Sequence, residues 1–341
     1  MVSEKSQNYR ALIFFRQSTV ARWEHPKLVV TPCLRHRVPN KETIDVIKSD
    51  QRARYQNLQL CKRLWLCPVC AGRMARNRRH GMERAVTHMK NDGYALAFVT
   101  YTIQHGQDYS LADEIAQVNA AHSAMHSGAN WQRIERRFEW GGSIRACEVT
   151  YGTNGWHWHL HEIGFIADDR DPGELQDTLR TSWLSALAKT GASASRENGL
   201  VVKRANDAVR DYVSKWGIVP EITSSQAKRG RGSSVAPFQF PDAVLSRQWP
   251  DQRGRALFAE YRAATHGLKQ LWASPNLRHF FKNDQIQPES GDHAMDPLYR
   301  LSIEVWREVR RRGARAELLK AAERNMLIDY LVDFGLPTAS V

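Results

Sequence analysis

The sequence predicts an α+β protein with a central antiparallel sheet flanked by helices. Three observations lead there. Periodicity from Leu96 to Gly217 gives the element order β-α-β-β-α-β-α, which suits an antiparallel layer and not a doubly wound parallel sheet. Ile144–Thr150 and His157–His161 read as paired strands around the turn Gly152-Thr153-Asn154-Gly155. Leu96 to Gln104 passes from an apolar run into alternation, as a central strand does.

The elements follow in chain order. Residues 1–57 carry few signals; Tyr9 to Gln17 and His25 to Pro32 read as short strands. Cys61, Cys67 and Cys70 come next in a Cys-x5-Cys-Pro-Val-Cys pattern, with Cys33 upstream. A Cys-x-x-Cys knuckle converges two thiolates on one point, which suits tetrahedral zinc, and Cys61 and Cys33 are available to close the site. Cys147 falls on the strand face opposite Glu148 and reads as a small core residue. Pro68 to Lys90 reads as a helix with an apolar stripe of Met74, Met82, Ala85, Val86 and Met89. Arg73, Arg76, Arg79 and Arg84 line another side, as phosphate contacts or as a solvated face.

After the Asn91-Asp92-Gly93 turn and the Leu96–Gln104 strand, Ser110 and Asp113 form a weak capping box before a helical run to Gly128. Trp131 to Trp140 is a further helical piece. Past the hairpin, an acidic loop at Asp168–Pro172 leads into a helix with Leu175, Leu179, Trp183 and Leu187 on one face. Leu200–Lys203 is a short strand, and Asn206-Asp207 opens a helix ended by Gly217. Lys228-Arg229-Gly230-Arg231-Gly232 is a basic loop able to follow a phosphate backbone. Ala256 to Gln270 reads as a helix, Asn283 to Asp296 as a linker, and Leu298–Ala322 and Met326–Phe334 as C-terminal helices.

The chain has 341 residues, 49 Lys and Arg against 36 Asp and Glu, and a net charge of +13. That excess favours polyanionic partners, nucleic acid foremost. Uninterrupted apolar runs fall short of the ~18 residues of a membrane span, and the N-terminus has no secretory pattern, so a cytoplasmic location is expected. There is no Gly-x4-Gly-Lys-Ser/Thr, hence no recognisable nucleotide-driven motor.

The chemistry concentrates in the hairpin. His157, His159 and His161 alternate with Trp158 and Leu160 and so share one strand face, with Glu148 on the neighbouring strand. A carboxylate with two or three imidazoles is the donor set of a divalent-metal site with open positions. Tyr212 and Lys215, three apart, share a helix face. A phenol with a free pKa of ~10 needs a metal or cation to act as a nucleophile, and Lys215 can supply part of that.

These pieces together resemble the rolling-circle replication initiators of the His-hydrophobe-His (HUH) endonuclease superfamily, single-tyrosine type, in the branch found on small bacterial plasmids. The resemblance runs from about Cys33 to Arg278. Its motifs are Phe98-Val99-Thr100-Tyr101-Thr102, Glu148-Val149-Thr150 through His161, and Asp211-Tyr212-Val213-Ser214-Lys215-Trp216. The cysteine knuckle, the basic loop, Pro237-Phe238-Gln239 and the stretch Trp272 to Arg278 accompany them.

The resemblance implies an HUH core related to the ferredoxin-like split βαβ layer over 91–222. A zinc-knuckle region (1–90) precedes it, and a basic loop with a C-terminal helical region (223–341) follows. It implies Mg²⁺ or Mn²⁺ at His159 and His161, with Glu148 or His157 as third ligand; the pair His157 and His159 also fits, because Trp158 stands where relatives carry proline. Structural Zn²⁺ at Cys33, Cys61, Cys67 and Cys70 is expected.

The implied reaction is nicking of one strand of single-stranded or origin DNA by Tyr212, with Lys215 and Asp211 beside it and Arg73, Arg76, Lys228, Arg229 and Arg231 on the DNA. Rejoining follows, in the bacterial cytoplasm, with a host helicase and DNA polymerase as partners. The carboxylate that relatives place one turn before the tyrosine is Ala208 here, so Asp207, Asp211 or a second subunit of a dimer would serve termination. Two other readings compete. A related transposase or relaxase is one, although relaxases put the tyrosine before the histidines. A non-catalytic zinc-dependent DNA-binding regulator is the other.

Overall fold

The computed structural model describes residues 4–23, 33–49, 52–204, 234–282 and 296–336. They form two compact units, divided at Ala71 and again at Ile286. Both units are α+β with antiparallel sheets flanked by helices. Among the described residues no helix is long and apolar enough to cross a membrane.

The first unit joins the two ends of the chain. Strands β1 (Ile44–Ser49) and β2 (Arg52–Gln56) pair antiparallel, and β8 (Tyr299–Leu301) adds to β1 with Ile44 opposite Leu301. Helix α1 (Glu4–Trp23) and the C-terminal helices α8 (Ile303–Arg311), α9 (Arg315–Glu323) and α10 (Leu327–Asp333) complete it. The expected strand at Tyr9–Gln17 is therefore helix; a short apolar run such as Ala11–Phe15 fits either period, and tertiary partners decided it. Arg315, 6% exposed, donates to the Phe14 carbonyl and to Ser18 Oγ, while Tyr55 Oη donates to the Arg315 carbonyl. The expected single helix from Leu298 to Ala322 is also corrected: its start is strand β8, and Gly313 at φ +71° breaks the rest in two. His25–Pro32 lies outside the described residues.

The second unit is built on a five-stranded antiparallel sheet in the order β6-β3-β5-β4-β7. Its strands are β3 (Tyr94–Tyr101), β4 (Gly142–Gly152), β5 (Gly155–Ala167), β6 (Leu200–Arg204) and β7 (Leu271–Ala273). The hairpin is as expected, though longer: its turn is Thr153-Asn154, and Gly155 takes φ +86° where the Gly106 carbonyl would touch any Cβ. Helix α2 (Pro68–Asn91) lays Met82, Ala85, Val86 and Met89 on Leu96, Ile144, Ile163 and Phe165. Helices α3 (Leu111–Met125), α4 (Gly128–Phe138) and α5 (Pro172–Lys189) follow, with α3 and α5 packed together and α3 against β5. Helices α6 (Phe240–Leu245) and α7 (Asp251–Ala264) come after residue 234; α7 starts earlier and ends earlier than expected, because Thr265 and Gly267 close it.

One buried carboxylate makes the stability of this unit pH-dependent. Glu114 on α3 is fully buried and accepts the Trp158 backbone N–H at 3.0 Å. Burial raises its pKa from 4.5 to about 7, with Glu260 adding to the rise and the Trp158 N–H opposing it. The folded pKa exceeds the unfolded one, so stability is full below 4.5 and is lost as pH rises through 7. Glu114→Gln keeps an acceptor for the Trp158 N–H and is expected to lose this slope. Urea unfolding at pH 5 and pH 8 checks it: wild type should weaken relative to the variant at the higher pH.

Candidate metal centre

The hairpin places its donors by register. Glu148 pairs with His159, Ala146 with His161 and Thr150 with His157, so Glu148 and the three histidines stand on one face. Ile163 and Phe165, two and four residues further along that face, are covered by α2. The histidines occupy the stretch beyond this apolar stripe.

Glu148, His159 and His161 each bring one donor atom to a common point, all within 4.8 Å of one another. Glu148 Oε2 lies 3.0 Å from His159 Nε2 and 2.8 Å from His161 Nε2. Burial opposes ionisation of Glu148, but His159 and His161 outweigh it and hold its carboxyl well below the usual range. Burial and His159 push the His161 pKa down, so its ring stays neutral as a ligand must. The other nitrogen of His161 is 3.1 Å from Thr100 Oγ1 on β3, a partner that fixes ring orientation, and Phe98 stacks on the same ring at 5.3 Å. His159 Nδ1 is buried without a hydrogen-bond partner among the described residues. Two imidazoles and a carboxylate whose donor atoms converge fit a hard divalent cation such as Mg²⁺ or Mn²⁺.

His157 is not in that trio. It stacks on His105, centroids 4.5 Å apart, and lies 4.8 Å from the His159 ring. Burial, His159 and His105 lower its pKa to about 3. His105, in the loop after β3, has no strand-period signature and goes unseen in the sequence; Thr100 falls inside the first motif of the resemblance.

The four cysteines come together within the first unit. Cys33 Sγ lies 3.4 Å from Cys67 Sγ and 3.6 Å from Cys70 Sγ, and Cys61 Sγ is 3.6 Å from Cys70 Sγ. Zinc–sulfur bonds of about 2.3 Å give a tetrahedral edge of about 3.8 Å, so the cluster can hold a zinc with little movement. Local structure explains the convergence. Cys67 precedes α2 and Cys70 sits in its first turn, Lys62 turns the chain at φ 55°, and Leu34 N–H bonds the Gln59 carbonyl to bring in Cys33. Cys147 is part-buried on the opposite strand face from Glu148, its thiol directed at the Lys269 carbonyl.

Arg73 and Arg76 lie on α2. Asp211, Tyr212, Lys215, Lys228, Arg229 and Arg231 lie outside the described residues.

Comparison with known proteins finds relatives in Streptomyces. A Streptomyces lividans protein named "Protein rep" is 27% identical over 351 aligned residues, covering 78% of this chain and 75% of that one. The chain is similar to that Rep protein over most of its length. A Streptomyces cyanogenus protein named "Neomycin resistance protein" is 32% identical over 34% of this chain and 32% of its own length. No family model matches, and no solved structure does. The Rep likeness spans most of the chain, whereas the second covers a third.

Proposed function

We propose that this protein is a rolling-circle replication initiator that nicks one strand at a plasmid origin and later rejoins it. The observation that carries the reading is the convergence of Glu148, His159 and His161 on the open stretch of the sheet face. The Rep likeness and the order of the sequence motifs support it.

Glu148, His159 and His161 would hold Mg²⁺ or Mn²⁺, and Thr100 would keep His161 turned to it. When bound, the cation polarises the scissile phosphate and offsets charge developing on it. Tyr212 Oη attacks phosphorus, the P–O3′ bond breaks, and a 5′-phosphotyrosine and a free 3′-hydroxyl result. The tyrosyl proton passes to a nearby base, with Asp211 the adjacent carboxylate, and Lys215 favours the phenolate. The phosphodiester energy is kept in the tyrosyl link, so attack by a 3′-hydroxyl rejoins the strand and frees Tyr212. Arg73, Arg76, Lys228, Arg229 and Arg231 contact phosphates, consistent with the net charge of +13. The Cys33-Cys61-Cys67-Cys70 cluster takes a structural zinc. Lacking a motor motif, the protein works with a host helicase and DNA polymerase in the bacterial cytoplasm. Termination falls to Asp207, Asp211 or a second subunit of a dimer.

The test is labelled single-stranded origin-like DNA with Mn²⁺ and wild-type or Tyr212→Phe protein on a denaturing gel. A protein–DNA adduct that needs both the metal and Tyr212 is expected. DNA binding with no adduct under any metal tried would leave the regulator reading instead.

A further inference from the structure

A second histidine–carboxylate cluster lies on the other face of β5. Its Glu162 neighbours His161 in sequence and points the opposite way, into the layer under α3. His122 and His126 sit one turn apart at the end of α3, and their Nε2 atoms lie 3.3 Å and 3.5 Å from Glu162 Oε2. The three donor atoms fall within 4.8 Å of one another, and Glu162 is 1% exposed. Among the described residues no Lys or Arg nitrogen is within ion-pair reach of that carboxylate.

The hydrogen bonding of His126 gives the independent clue. His126 Nδ1 lies 3.0 Å from the His122 carbonyl oxygen, which keeps a proton on Nδ1 and leaves Nε2 as the atom that meets the carboxylate. That Nε2 is buried without a hydrogen-bond partner and faces a carboxylate oxygen. A buried carboxylate facing that nitrogen needs a positive charge between them, which either a proton on Nε2 or a bound cation supplies, and the neutral ring offers its lone pair to the cation. A backbone carbonyl on the far nitrogen of an imidazole is also the usual support of a metal-bound histidine. Tyr101 Oη donates to Glu162 Oε2 at 2.8 Å and orients the carboxylate in the same manner.

We propose that His122, His126 and Glu162 form a second, structural divalent-metal site that ties the end of α3 to β5, behind the Glu148–His159–His161 trio. Two histidines and a carboxylate, buried, with nitrogen donors in the majority, suit zinc. Arg145 is the competing cation: its Nη1 lies 2.5 Å from His122 Nδ1 and its guanidinium is 5.6 Å from the Trp272 ring. Ligation by His122 Nε2 moves the ring proton to Nδ1 and turns Arg145 fully onto Trp272.

The experiment uses the full chain carrying His161→Ala, which disables the front trio, dialysed against micromolar zinc and assayed by plasma mass spectrometry. Adding His126→Ala, or separately Glu162→Gln, is expected to remove one zinc per chain. Zinc should raise Tm in the parent by more than in either double variant, after EDTA stripping of all three, because a ligand of the native state stabilises it. Glu162→Gln keeps volume and the Tyr101 contact, so the comparison survives if His126→Ala fails to fold. Equal zinc content in parent and folded double variants would overturn the proposal and leave a network held by protons alone.

Discussion

His159→Ala is expected to reduce metal-dependent strand cleavage by about 10³-fold, since a Lewis acid is worth several kcal/mol and each ~1.4 kcal/mol is tenfold. The loss follows from the register: His159 stands directly opposite Glu148, and its Nε2 shares Oε2 with His161. Without it one imidazole and one carboxylate remain, too few to hold a cation at micromolar concentration. Mn²⁺ binding followed by electron paramagnetic resonance should weaken in step with cleavage. His157→Ala is the internal control. That ring stacks on His105, outside the converging donors, so Mn²⁺ affinity should stay within a few-fold of wild type. If His157→Ala loses as much metal as His159→Ala, the ligand pair is His157 and His159.

Cys70→Ser is expected to have the largest effect on stability. A structural zinc in small domains carries about 10–16 kcal/mol of apparent binding free energy, at or above the ~5–15 kcal/mol by which whole proteins are stable. Cys70 Sγ touches two of the three other cysteines and sits where α2 begins, so its loss opens the cluster from the centre. The first unit has a three-stranded sheet with one strand of only three residues, and Cys33 is held near Cys61 by a few hydrogen bonds between residues 34–38 and 57–59. Zinc content by plasma mass spectrometry should fall by one per chain. Hydrogen exchange at Val46, Ile47, Ala53 and Tyr55 should rise towards that of an unfolded chain, and strong chelators should reproduce both effects in wild type. A Cys70→Ser protein that keeps its zinc and its protection would show that the four thiols are merely packed together.

The parts of the fold legible in the sequence are those where local pattern and tertiary role agree. The alternation of His157 to His161 fixed both the strand and the shared face, and Gly155 marked the turn. The Cys-x-x-Cys spacing told that Cys67 and Cys70 converge, though not that Cys33 joins them, and the α2 stripe of Met82, Ala85, Val86 and Met89 matched the face it buries. Helix α1 failed the same test because its buried positions include Arg16, Gln17 and Thr19, polar residues that blur an apolar period, and Gln17 is satisfied by Arg315, far along the chain. Strand β8 was hidden for a related reason: Tyr299–Leu301 is too short to show a period and becomes a strand only by pairing with Ile44–Val46. Within the candidate site, Thr100 and His105 act through contacts to His161 and His157 that no spacing rule encodes. The i, i+4 pair His122 and His126 was not singled out in the sequence, and Glu162 joins it only through the packing of β5 under α3.

The most direct measurement is to trap wild-type protein on cleaved origin DNA, digest it with nuclease and trypsin, and locate the nucleotide by mass spectrometry. Trypsin cuts after Arg210 and Lys215, so the account predicts the peptide Asp211-Tyr212-Val213-Ser214-Lys215 carrying a 5′-linked nucleotide on Tyr212. Cleaved DNA ending in a free 5′-phosphate, or a nucleotide attached at any other residue, would contradict it.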